Sequence, residues 1–136
     1  MNTPLFYEFL ISSDTLWVYK ENRRLFTSKK GTLLPLLEYI DKYLPYYNYK
    51  EVTILDRVTG NAAALLSVKA GAKEVYSPLG SKLATATLDK FNVEYYISEV
   101  TPYIRNQNGE GMCPMEKLSI NKSPEEFYEA VRRYCD

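Results

Sequence analysis

The 136-residue chain contains no histidine. Imidazole is the usual general base near neutral pH and the commonest zinc ligand. Its absence excludes Ser-His-Asp and Cys-His nucleophilic systems, His-ligated metals and histidine proton shuttles. Cysteine is scarce: Cys113 and Cys135 are the only two, too few for a four-thiolate site. A chain of this length buries roughly two-thirds of the surface it exposes when unfolded, so its core needs no disulfide or metal staple. Neither charge dominates, with 17 Lys and Arg against 17 Asp and Glu, and a broad surface for DNA or RNA phosphates is therefore not expected. The one basic cluster, Arg23, Arg24, Lys29 and Lys30, reads as a solvated hairpin. No apolar run approaches the roughly 18 residues that span a bilayer, and the first ten residues, with Pro4 and Glu8, lack the pattern of a secretory signal. Unpaired thiols suit a reducing compartment, so a cytoplasmic protein without membrane attachment, metal or cofactor is expected. The chemistry left open is that of carboxylates, lysine, tyrosine or a lone thiolate, or binding alone.

What is present is a clear rhythm of elements. Leu5, Phe6, Phe9 and Leu10 fall at helical spacing over residues 5–11. Residues 15–19 and 24–27 are β-rich runs separated by Lys20-Glu21-Asn22-Arg23, which predicts a hairpin. From residue 32 to 44, Leu33, Leu36, Leu37, Ile40 and Leu44 form an apolar stripe with Pro35 in the first turn, which predicts an amphipathic helix. A tyrosine-rich connection follows over residues 45–50. Its rings can pack over a helix end, or clamp a planar ligand or partner.

Strand and helix then alternate: a strand over 52–55, an alanine-rich helix over 61–70 ended by Gly71, a strand over 74–77, a helix over 81–91 and a strand over 93–100. Such alternation predicts a mostly parallel sheet with helices on both faces. Residues 105–116 form a loop too long for a simple connection, flanked by Tyr103-Ile104 and by residues 117–120. Long ordered loops are commonly functional or mobile. The last helix starts at Ser123 as N-cap, with Pro124 next and Glu126 at the reciprocal capping position. Phe127, Ala130, Val131 and Tyr134 form its apolar stripe. One domain over residues 1–136 is expected.

Two segments carry candidate chemistry. In open α/β sheets, ligands bind beyond the carboxyl ends of strands, at helix N-termini with free N–H groups. The run Leu55-Asp56-Arg57-Val58-Thr59-Gly60-Asn61-Ala62-Ala63-Ala64 places a carboxylate and a guanidinium there, then small residues that allow close approach. Asp56 can orient a ligand amine or hydroxyl, and Asn61 can read donor and acceptor edges. Equally, Asp56 can pair with Arg57 or cap the helix, with the alanines serving helix–sheet packing. The second segment is Gly109-Glu110-Gly111-Met112-Cys113-Pro114-Met115-Glu116. Cys113 would be a thiolate nucleophile if neighbouring N–H groups or Lys117 depressed its pKa, and otherwise a small hydrophobe that shapes a pocket. The single Gly60-Asn61-Ala62 is not a dinucleotide fingerprint, and no P-loop is present.

The order of elements, with Ser77-Pro78-Leu79-Gly80-Ser81-Lys82 opening a helix, resembles the cytidine-deaminase-like fold. In zinc deaminases the two corresponding helices begin with H-x-E or C-x-E and with P-C-x-x-C. Here Leu79 and Lys82 stand at the cysteine positions, and residues 60–63 supply neither ligand nor general acid, so the zinc–water mechanism does not carry over. More closely, residues 56–66, Ala72-Lys73-Glu74-Val75-Tyr76, Pro102-Tyr103-Ile104-Arg105-Asn106 and residues 111–118 resemble a prokaryotic family known only as domain of unknown function 1893. That resemblance implies a zinc-free, cytidine-deaminase-like three-layer α/β/α sandwich with an N-terminal hairpin. It also places the family's motif positions at Asp56, Gly60, Ala62, Asn106, Cys113, Pro114 and Glu116.

The expectation is a pocket between the 56–61 turn and the 106–116 loop, built from Asp56, Arg57, Gly60, Asn61, Ala62, Arg105, Asn106, Cys113 and Glu116. Its ligand would be small and polar, nucleotide- or nucleobase-like, with Asp56 and Glu116 reading donors and Arg57 or Arg105 an anion. The competing readings are an enzyme using Cys113 as nucleophile, and an interaction protein making a homodimer or partner contact through Tyr46, Tyr47 and Tyr49.

Overall fold

The structure, a computed structural model, describes residues 2–47 and 49–135, including the side chains of all but the last two. Helix α1 spans Thr3–Ile11 and is capped by Asn2, whose Oδ1 accepts the N–H of Leu5 at 3.0 Å. The hairpin follows as β1, Leu16–Lys20, and β2, Arg23–Ser28. The stripe over 32–44 becomes two helices, α2 at Leu34–Lys42 and a single turn α3 at Leu44–Tyr47. Pro45 explains the break, since it has no N–H to donate to the carbonyl four residues back, where an unbroken helix would need one. The chain then forms β3, Val52–Asp56, and β4, Val58–Thr59, followed by α4, Asn61–Lys69, and β5, Ala72–Ser81. After these come α5, Lys82–Lys90, β6, Glu94–Thr101, α6, Pro114–Ser119, and α7, Pro124–Cys135.

These strands make one six-stranded mixed sheet, open at both sides. β1 is antiparallel to β2 and β3, whereas β3, β4 and β6 all run parallel to β5. β5 is much longer than the run 74–77 suggests. Pro78 and Gly80 read as breakers, yet pairing with β6 continues to Ser81 and steps over Pro78, which has no N–H to offer. Because β6 occupies the side of β5 away from β3, β3 and β4 lie end to end along one edge, interrupted at Arg57. That interruption sets the site.

The period of two along the strands divides the core. Leu16, Val18, Ile54 and Val75 point to one face, where they pack with Leu36 and Ile40 of α2, Ala63 and Leu66 of α4, Leu88 of α5 and Phe127 of α7. Trp17, Tyr19, Leu55 and Tyr76 point to the other, against Phe6 and Phe9 of α1. Each fully buried Leu, Ile or Phe contributes about 1.5–3 kcal/mol of transfer free energy. α7 starts with the expected reciprocal cap: Glu126 N–H donates to Ser123 Oγ at 3.1 Å and Ser123 N–H donates to Glu126 Oε1 at 2.8 Å. Phe127 and Val131 are buried and Ala130 half-buried. The side chains of Tyr134 and Cys135 fall outside the described residues. Tyr43, Tyr47 and Tyr49 stack in succession over the end of α2, leaving Tyr46 exposed. Among the described residues no helix is long and apolar enough to cross a membrane.

Candidate functional site

The sheet edge breaks at Arg57 because its side chain turns towards the C-terminal end of α1. The guanidinium donates to the carbonyls of Phe9 at 2.8 Å, Ser12 at 2.6 Å and Asp14 at 2.8 Å, and lies 4.4 Å from the centroid of the Phe9 ring. Unsatisfied carbonyls at a helix C-terminus favour a cation in this way. Arg57 thus ties α1 to the sheet, and its donors face backbone oxygens. With Nη1 also donating to the carbonyl of Leu10 at 3.3 Å, four of its five N–H groups are engaged, which leaves one for the anion-reading role expected of it.

At the other end of β4, Gly60 occupies the N-cap of α4 without any side-chain cap of its own. Glu116 of α6 supplies one from outside. Only 2% exposed, it accepts the N–H of Asn61 through Oε1 at 2.5 Å and the N–H of Ile104 through Oε2 at 2.7 Å. A carboxylate at a helix N-terminus is favoured by both the free N–H groups and the dipole. Gly60 is required by this approach, since a Cβ there would lie 2.8 Å from Ile104 Cγ1 and 3.0 Å from Glu116 Oε1. Asn61 is also turned inward. Its amide donates to Ser119 Oγ at 3.0 Å and accepts from the hydroxyl of Thr87, so it joins α4 to α5 and α6 instead of reading a ligand.

Between these elements lies a cavity of about 380 Å³ with mainly apolar walls. Asp56, Arg57, Val58, Gly60, Ala62 and Ala63 form one side, and Ile104, Cys113, Met115 and Glu116 another. Thr15, Gly31, Thr32 and Leu33 complete it. Asp56 ends β3 and accepts the backbone N–H groups of Arg57 and Val58. Burial nevertheless outweighs those bonds and pushes its carboxyl up to about 7. Among the described residues it forms no ion pair. Thr32 is held at φ +60°, an unusual conformation for a β-branched residue. Strain of this kind is often concentrated at binding sites.

Of the nine residues expected at the pocket, Asp56, Arg57, Gly60, Ala62, Cys113 and Glu116 line this cavity, whereas Asn61, Arg105 and Asn106 do not. Arg105 is exposed and bridges Met112 through its backbone. Asn106 Oδ1 accepts the N–H of Glu110 at 3.1 Å, within a turn that Gly109 and Gly111 enter at positive φ. The 105–116 segment is therefore a small hairpin followed by α6. Cys113 is half-buried in the cavity wall, and its N–H donates to the carbonyl of Ile104 at 2.8 Å. The sequence reading missed the contribution of Thr15 and of residues 31–33. The only local signal was Gly31 between the hairpin and α2, and pairing of β1 with β3 brings that corner to Asp56. Among the described residues, no group of three His, Cys, Asp or Glu side chains could hold a metal ion.

Residues 7–135 match the profile of the family described as "Domain of unknown function (DUF1893)". The crystal structure of a DUF1893 family protein from Thermotoga maritima superposes with a TM-score of 0.85 at 25% identity, covering 96% of this chain and 87% of that one. No curated protein matches the chain.

Proposed function

The chain belongs to the DUF1893 family, and from that premise we propose that it is a zinc-free, cytidine-deaminase-like domain of three layers that binds a small nucleobase-like molecule in the cavity beside Asp56. The observation that carries this reading is Asp56 itself. A carboxyl at the carboxyl end of a parallel strand, pushed up to about 7 in an otherwise apolar cavity, can accept or donate one strong hydrogen bond to a ligand near neutral pH. The volume suits a flat ring of modest size. The anion anchor a nucleotide would need has less support, because Arg57 is engaged by the carbonyls of α1 and Arg105 lies outside the cavity. A neutral heterocycle is therefore favoured over a phosphorylated one.

A thermal-shift panel of nucleobases, nucleosides and nucleotides tests the reading. Nucleobases are expected to raise the midpoint of the native protein and not that of Asp56→Ala, by the linkage between binding and stability. A panel in which nothing shifts, or in which both proteins shift alike, overturns it. The placement of Cys113 in the same wall favours a second reading, thiolate chemistry at that residue. Iodoacetamide labelling that follows the pH profile of a free thiol would remove that reading.

A further inference from the structure

Besides Asp56, three of the cavity's residues can carry charge: Arg57, Cys113 and Glu116. The guanidinium of Arg57 faces the carbonyls of Phe9, Ser12 and Asp14. Glu116 is only 2% exposed, with one oxygen accepting the N–H of Asn61 and the other that of Ile104, whereas Asp56 is only half-buried. The remaining lining, which is Thr15, the segment 31–33, Val58, Ile104, Met115 and the small residues at the start of α4, does not ionise near neutral pH. Of the hydroxyls, Thr15 Oγ1 already donates to backbone carbonyls of the hairpin strand and its end. A carboxylate offers about four lone-pair sites, and two of those on Asp56 are used by the N–H groups of Arg57 and Val58. The others are available to the cavity. Besides the Thr32 hydroxyl and the Cys113 thiol, a ligand entering here therefore meets one open carboxyl with two oxygens side by side, surrounded by mainly apolar wall.

Two oxygens of a carboxyl are matched by a nitrogen acceptor beside an N–H donor, the edge of an amidine or an aminopyrimidine, through two parallel hydrogen bonds. We infer that the cavity selects this amidine-type edge, and that the complex holds a single proton between Asp56 and the ligand nitrogen. This rests on the binding reading above and adds the recognition chemistry to it. With a weakly basic ligand the proton stays on Asp56, so the carboxylic O–H donates to the ring nitrogen while the exocyclic N–H donates to the other oxygen. With a strongly basic one it stays on the ligand, and an amidinium faces a carboxylate. The two cases have the same proton count and opposite pH dependence. The weak base needs protonated Asp56 and loses affinity as pH rises through the carboxyl's titration. The strong base needs the ionised form and loses affinity as pH falls through it.

Calorimetric titration with 2-aminopyrimidine and with benzamidine, between about pH 5 and about pH 9, reads both slopes. The expected result is a loss of affinity of about tenfold per pH unit on the alkaline side for 2-aminopyrimidine, and of about tenfold per unit on the acid side for benzamidine. Asp56→Asn presents a fixed carbonyl and amide. It should bind 2-aminopyrimidine with no pH slope and lose benzamidine, whose edge then meets a donor. Slopes that are flat, or of the same sign for both compounds, overturn the shared proton. Failure of both compounds to bind overturns it as well. If nucleobases still stabilise the native protein, such failures leave cavity binding in place; if nothing binds, both inferences fall.

Discussion

Replacing Asp56 by asparagine should stabilise the protein at alkaline pH and change its stability little in acid. In the folded chain the carboxyl is raised from 3.8 to about 7 by burial, while in the unfolded chain it keeps its ordinary value. The native state therefore holds the proton more tightly. Stability is greatest below about pH 4, declines as pH rises through the interval to about 7, and is constant above it. A shift of about three units corresponds to roughly 4 kcal/mol, an upper bound because the cavity opens to water that can relax around the ionised form. Asparagine removes this cost but keeps only one oxygen for the two N–H groups of Arg57 and Val58, a loss of about 1 kcal/mol. Near pH 8 the variant should thus gain at most about 3 kcal/mol, or roughly 10 °C in midpoint for a chain of this length. Near pH 4, where the native carboxyl is itself protonated and likewise presents one carbonyl oxygen, the two proteins should differ little. Asp14, held down to about 2 by Lys29 and Trp17, acts in the opposite direction. Its stabilising effect is lost only in stronger acid, as pH falls from about 4 towards about 2. Urea denaturation of both proteins across pH gives the two curves. Parallel curves, or a variant less stable at every pH, would refute the account of Asp56.

Two other substitutions test the frame around the cavity. Glu116→Gln turns one of two buried acceptors into a donor facing an N–H of Asn61 or Ile104 and removes the charge at the start of α4. A loss of about 2–3 kcal/mol by urea denaturation is expected, and unchanged stability would mean that the clamp is not formed. Gly60→Ala forces a methyl to within 2.8 Å of Ile104 and should cost about 1–3 kcal/mol. Gly31→Ala, which meets nothing within 4 Å, is the control and should change the midpoint little.

Much of this architecture follows from short-range rules. The hairpin, the stripe of α2, the alternation after residue 52 and the cap at Ser123 are periodicity and capping signals that act within a few residues, and each appears where it was expected. Boundaries shifted where a longer-range contact overruled a local one. β5 continues beyond Ser77 because β6 pairs alongside it, and Pro45 splits a helix that its leucine stripe would have carried to residue 44. Asp56, Gly60, Cys113 and Glu116 stand out in the sequence by type and position. What they do depends on partners far along the chain. Glu116 reaches Asn61 across 55 residues and Arg57 reaches Phe9 across 48. No local pattern distinguishes a carboxylate that caps a helix from one that faces a ligand. For the same reason Thr15 and Thr32, brought to Asp56 by strand pairing, carried no signal.

If this cavity, and no other surface, receives the ligand, amide chemical-shift mapping with 2-aminopyrimidine will locate it there. The perturbed residues should gather at 31–33, 56–63, 104 and 113–116, and the perturbation should vanish in Asp56→Ala. Shifts centred instead on Tyr46 and Tyr47, or shifts that survive in Asp56→Ala, would contradict it.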